Sequence, residues 1–128
     1  MSLENQDFLL TANKFEIPES IQDCPGIQFG KKRVKSILLS TDLAHIQNIV
    51  SDAIMTINPF EKANKLDRVI IEFSNIPVFC DVGGGLLREE KTIRLSEGAF
   101  EAGAAGVVIT RPTSPEIIFK IRREISGP

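Results

Sequence analysis

From Val34 onward the chain alternates short apolar runs with longer stretches whose apolar residues recur at helical spacing. Ser36-Ile37-Leu38-Leu39-Ser40 is the first such run, apolar on both sides as in a strand buried on two faces. Thr41-Asp42 then supplies helix-capping chemistry, and Leu43, Ile46, Ile49 and Val50 follow at a period near 3.6. Ala53-Ile54-Met55-Thr56-Ile57 is the next strand, stopped by Asn58-Pro59. Ala63, Leu66, Val69, Ile70 and Phe73 then mark one face of a longer helix. The third unit runs from the strand Ile76–Val82, with Pro77 at its start, through Gly83-Gly84-Gly85 to a helix over Thr92–Ala102 capped by Gly103. Gly106–Thr110 is a further strand, and Thr113-Ser114-Pro115-Glu116 opens a last helix carrying Ile117, Ile118, Ile121 and Ile125.

Strands separated by helices of this length pair in parallel through right-handed crossovers. The fold class is therefore α/β, with about five mainly parallel strands in βα units. Two architectures fit: a partial, half barrel of the (βα)8 type, or a flavodoxin-like open sheet. Residues 1–33 are less regular. Asp7–Ala12 reads as a first strand, and Lys14–Arg33, with Pro18, Pro25, Gly26 and Gly30, reads mostly as loop with a short helical turn around Pro18–Asp23. The 128 residues suit a single domain. The tail Ile125-Ser126-Gly127-Pro128 resembles the lead-in to a further strand, so the chain is expected to be part of a longer (βα) protein.

Composition removes several function classes. The net charge of -2 gives no reason to expect nucleic acid or an anionic membrane as partner. No apolar run approaches the length of a membrane span, and no basic-then-apolar leader is visible, so a cytoplasmic protein is expected. Cys24 and Cys80 lack metal-ligand spacing and are expected as free thiols. With one histidine, His45, and no tight carboxylate cluster at the strand ends, no resident metal or other cofactor is expected. A loosely held Mg²⁺ carried in with phosphate is compatible with that reading.

Ligands of parallel α/β sheets and barrels bind beyond the carboxyl ends of the strands. Those ends collect Asn13 and Lys14, then Ser40, Thr41 and Asp42, then Asn58, then Cys80, Asp81 and Gly83–Gly85, and finally Thr110 and Arg111. Gly83, Gly84 and Gly85 let the backbone approach a ligand and turn N–H groups toward an anion. Arg88 and Lys91 follow within reach of a phosphate, although neither the Walker nor the dinucleotide-binding glycine pattern is present. Asp81 suits a general base, a metal ligand or a hydroxyl acceptor, and equally an acceptor for the glycine-loop N–H groups. Asp42 is a second acid/base candidate whose simpler role is a helix cap, and Asn58 is a ligand contact or a turn residue. Arg111, held by Pro112, suits bidentate anion contact. Cys80 reads as a small buried hydrophobe and His45 as a helix residue away from the strand ends. Lys14, at a strand end, is poorly placed for a Schiff base.

The sequence Ile76-Pro77-Val78-Phe79-Cys80-Asp81-Val82-Gly83-Gly84-Gly85, a helix, then Gly103-Ala104-Ala105-Gly106-Val107-Val108-Ile109 resembles the phosphate-binding (βα)8-barrel superfamily over about Ile76–Thr110, and more loosely back to Ile37. The resemblance implies phosphate donors at Gly83–Gly85, Asp81 in the barrel mouth, and isomerase, lyase or synthase chemistry on a phosphorylated small molecule. The chain departs from that pattern in having about five strands and in carrying Thr110-Arg111-Pro112 after the second of these strands. Taken together, the expected function is binding of a small phosphorylated or carboxylated metabolite at the strand ends by an enzyme of lyase, isomerase or hydrolase type. The alternative is a non-catalytic binding domain or a self-assembling half-barrel, with a homodimer covering the open sheet.

Overall fold

The computed structural model describes residues 17–45, 51–57, 63–84, 88–110 and 112–125. The expected strand Asp7–Ala12 lies outside them. A 3₁₀ turn at Glu19–Asp23 leads into two short strands, β1 (Ile27–Phe29) and β2 (Lys32–Val34), which pair antiparallel with Phe29 opposite Lys32. This hairpin replaces the loop expected from the sequence. Gly30 takes a φ of 56°, the positive value a two-residue hairpin loop needs at its first position.

Four parallel strands follow: β3 (Ile37–Leu39), β4 (Ala53–Met55), β5 (Val78–Gly84) and β6 (Gly106–Thr110). Another 3₁₀ segment, Ser40–His45, leaves β3. Helices α1 (Ala63–Phe73), α2 (Glu89–Ala102) and α3 (Pro115–Glu124) occupy the later connections. The strands lie side by side in chain order, β3-β4-β5-β6. A flavodoxin-like sheet reverses direction beside its first strand, whereas a (βα)8 barrel adds each strand next to the last. The partial-barrel alternative is therefore the one whose strand order the sheet follows.

Chain order with uniform crossovers puts every helix on one face. Val78, Cys80 and Val82 of β5 pack with Ile54, Ile70 of α1, and Leu95 and Ala99 of α2 in one buried cluster. Ile117, Ile121 and Ile125, in and just after α3, form a second cluster against Val107 and Ile109 of β6. Alternation sends Leu39, Met55 and Phe79, which share a row by register, to the other face. The hairpin reaches part of that face, where the Phe29 and Phe79 rings meet edge to face at 4.7 Å.

Local signals end the helices as the sequence suggests. Gly103 caps α2 at φ 102°, its N–H donating to Phe100 while Ala104 N–H donates to Ala99. Pro115 stands in the first turn of α3, and Arg122 and Arg123 lie in its last turn, where cations suit the helix dipole. At the lower end of the sheet one carboxylate staples two strands. Asp52 Oδ2 accepts the Lys35 and Ser36 N–H groups at 2.8 and 3.2 Å, and Ser36 Oγ accepts Asp52 N–H at 2.9 Å. These backbone bonds, opposed by a smaller burial penalty, hold the Asp52 pKa below the usual aspartate value.

The α1 stripe differs from the sequence expectation. Leu66, Val69 and Phe73 are 40%, 56% and 46% exposed, and the buried side instead carries Asp67 and Ile70. Helical spacing allows either stripe, and the sheet selects the one with the carboxylate.

A β-carbon built at Gly106 would lie 2.9 Å from the Phe79 ring and 3.2 Å from the Phe29 ring. Gly106→Ala is expected to lower unfolding stability by about 1–3 kcal/mol through overpacking. Urea denaturation should show a smaller cost when the change is made in Phe79→Leu; an equal cost in both backgrounds would show that the ring is not the obstacle.

Candidate functional site at the strand ends

The carboxyl ends of β4, β5 and β6 are tied together by side chains. Thr56 Oγ1, just past β4, accepts the Asp81 N–H of β5 at 3.1 Å. Asp81 Oδ1 accepts the Gly83 N–H at 2.8 Å. Gly83 C=O in turn accepts the Thr110 hydroxyl of β6 at 3.0 Å, and Thr110 C=O accepts the Thr113 hydroxyl at 2.6 Å. On the β3 side, Ser40 Oγ accepts Ile57 N–H at 2.9 Å. The run across the three later strands fixes the sheet edge without needing a ladder bond at each position.

Gly83 is the turning point. Its φ of 77° falls in the left-handed region, inside the register irregularity between Asp81 and Gly84. The sequence places these glycines after the strand, but β5 continues through Gly84, which pairs with Thr110. With Gly83 N–H donated to Asp81, the carboxylate fills the acceptor position that an anion would take there. Asp81 itself remains half-buried and Thr110 exposed.

Arg88 occupies the N-cap position of α2 and is exposed; its carbonyl accepts the Lys91 and Thr92 N–H groups. Lys91 lines a cleft of about 360 Å³ with Asn64, Arg94 and Leu95, between the opening turns of α1 and α2. Asp42 is exposed in the 3₁₀ segment after β3, apart from the Thr56–Thr110 run. His45 ends that segment. Asn58, Gly85 and Arg111, together with Asn13 and Lys14, lie outside the described residues. Among the described residues no three His, Cys, Asp or Glu side chains converge as a metal site.

Two members of the edge were missed by sequence reasoning: Thr56 and Asp67. Asp67 is 1% exposed, next to Thr56 and Cys80 beneath the strand ends. The hydroxyl and thiol favour its ionised form, yet neither carboxylate oxygen completes a hydrogen bond of ordinary geometry. Burial pushes the Asp67 carboxyl up and outweighs both neighbours, while the Asp81 charge adds in the same direction. The available signal was a carboxylate four residues before Ile71 and three before Ile70, on a stripe less apolar than its neighbour. Cys80 shares this burial: desolvation, then the Asp67 charge and hydrogen bond, raise its thiol to about 12. It is a packing residue, not a thiolate nucleophile.

The chain matches no protein-family model, and a search of curated proteins finds no match to it.

A carboxyl group with a raised folded-state pKa gives its full stabilisation below the unfolded value, here 3.8, and loses it as pH rises through the folded value. Asp67→Asn should therefore gain stability relative to the parent as pH is raised from about 4 to about 8. The comparison cancels the opposite trend contributed by Asp52. A difference in urea midpoints that is flat or falls with pH would contradict the assignment. The thiols give an independent check. Native protein should react with a disulfide reagent quickly at exposed Cys24 only, and at both cysteines once unfolded; fast reaction of both in the native state would contradict the burial of Cys80.

Proposed function

We propose that the chain binds a small phosphorylated or carboxylated metabolite at the carboxyl edge of its parallel sheet and acts on it as an enzyme of the lyase, isomerase or hydrolase type. The observation that carries this reading is the hydrogen-bonded run Thr56–Asp81–Gly83–Thr110. It holds a half-buried carboxylate and the hydrogen-bonded hydroxyl of Thr110 at the place where parallel α/β sheets bind ligands. Asp81 is the acid/base of this proposal, and Thr110 and the glycine backbone contact the substrate. Positive charge for the anionic group comes from Arg88 and from the Lys91 and Arg94 cleft, which opens between the same two helix starts. Arg111, Gly85 and Asn58 belong to the same proposed rim through their sequence positions, and Asp42 is its outlying second carboxylate. A Mg²⁺ ion accompanying a phosphate would be held mainly by the substrate.

Among the described residues no helix is long and apolar enough to cross a membrane. The two cysteines are free, which supports placing the protein in a reducing cytoplasm. A non-catalytic binding domain is the second reading, favoured by the bond from Gly83 N–H to Asp81, which gives that carboxylate a structural task.

Titration with inorganic phosphate and with simple dicarboxylates, followed by amide NMR, tests the site. Shifts are expected at Gly83, Gly84, Thr110 and Arg88. Shifts confined to Asn64, Lys91 and Arg94 would move the ligand off the strand ends, and no shifts would remove the anion reading. Once a substrate is found, Asp81→Asn should bind it and lose at least about 100-fold in kcat if Asp81 is the general base; unchanged turnover would assign the residue to structure alone.

A further inference from the structure

We propose that the cleft between the opening turns of α1 and α2 is a phosphate seat in its own right, formed by Asn64, Lys91 and Arg94. The choice of an anionic metabolite rests on the reading above, while the seat stands or falls separately from the strand edge.

The cleft, of about 360 Å³, brings together Asn64 of α1 with Lys91, Arg94 and Leu95 of α2. Lys91 and Arg94 are three residues apart, so their side chains leave α2 on the same side. Lys91 is half-buried and Arg94 exposed. Among the described residues neither side chain takes part in an ion pair or a hydrogen bond. Two cations that face one cleft repel each other unless an anion lies between them. The amide of Asn64 lies against α2 in room left by Gly98, where a β-carbon would collide with Asn64 Nδ2. Asn64 Oδ1 is buried and has no hydrogen-bond partner among the described residues. A buried polar atom of this kind is one that a bound water or ion completes. Turning the amide about its last bond exchanges its oxygen and nitrogen, so it can offer a donor to the cleft. Leu95, 5% exposed, gives the cleft an apolar wall, beside which charges are screened less than in open water.

Charge and shape select phosphate within the anions. A carboxylate brings a single negative charge and a flat pair of oxygens. A phosphate near neutral pH carries about 1.5 to 2 negative charges on tetrahedral oxygens, enough to engage a lysine, an arginine fork and an amide donor together. The first turn of α1 holds no acidic residue that would compete for the same place. Glu90 and Glu97 stand a turn before and a turn after Arg94, both exposed, so the rim repels a long polyanion and the seat takes a compact one.

Amide NMR titration of the full chain with inorganic phosphate, at fixed ionic strength, tests the seat. Saturable shifts are expected at Asn64, Lys91 and Arg94, and Arg94→Gln should weaken that binding about 10-fold or more. Arg94→Lys keeps the charge and loses the fork, and should fall between the two. Arg123→Gln, which removes the same charge from the last turn of α3, should leave the binding unchanged. Shifts that chloride reproduces, or that Arg123→Gln reduces as much as Arg94→Gln, would overturn the seat, because they report overall charge and not a site. Shifts at Gly83, Gly84 and Thr110 alone would also overturn it and leave the strand-edge reading intact. Shifts in the cleft alone would keep the seat and remove the strand-edge reading, and no shift in either place would remove both. If Arg94→Gln loses its far-ultraviolet circular dichroism, Lys91→Gln takes its place: the same weakening is expected, and undiminished phosphate binding counts against the seat.

Discussion

Successive side chains must leave a strand on opposite faces, and in β5 this single constraint organises both layers of the molecule. Val78, Cys80 and Val82 enter the buried layer shared with α1 and α2, while Phe79 and Asp81 are sent to the side without helices. The apolar burial that anchors the domain and the polar group at its edge are therefore alternate residues of one strand. Any slip of register in β5 would bury Asp81 and expose Cys80 together. Its central position, paired with both β4 and β6, makes that register expensive to change.

The strand ends show how such an edge is held where regular pairing fails. The irregularity at Gly83 interrupts the β5–β6 ladder, and side chains from Asp81 and Thr110 take over the bonds of the Gly83 backbone. Beneath them, Asp67, Thr56 and Cys80 bring polar atoms into the buried layer. Asp67 loses hydration without gaining well-formed partners, which costs stability at neutral pH. Cost of this kind gathers where geometry matters more than packing, and here it sits directly under the Asp81 edge.

Among the described residues, the same strand order places all the helices on one side of the sheet. In a doubly wound sheet, helices would cover both faces and the outer strands would be the remaining problem. In this singly wound sheet the described cover of the second face is the β1–β2 hairpin, through the contact of Phe29 with Phe79. Among the described residues, exposed apolar side chains remain on β3, α1 and α3.

Local chemistry was enough to locate most elements. The helix Ala63–Phe73, the strand Gly106–Thr110, the left-handed cap at Gly103 and the proline start of α3 are all set by interactions within a few residues, and all were legible in the sequence. The hairpin at Gly30 also had a local signal, obscured by the surrounding prolines and charges. Tertiary structure decided what depends on partners distant in the chain. It chose the strand order β3-β4-β5-β6, which is compatible with a partial (βα) barrel. It turned α1 so that Asp67, and not Leu66, Val69 and Phe73, meets the sheet, because helix orientation follows the total burial of the layer and not the most apolar stripe of one helix. It also joined Thr56, Asp81, Gly83 and Thr110, separated by up to 54 residues in the chain, into one edge, since only the parallel stacking of strand ends brings those groups within hydrogen-bonding distance.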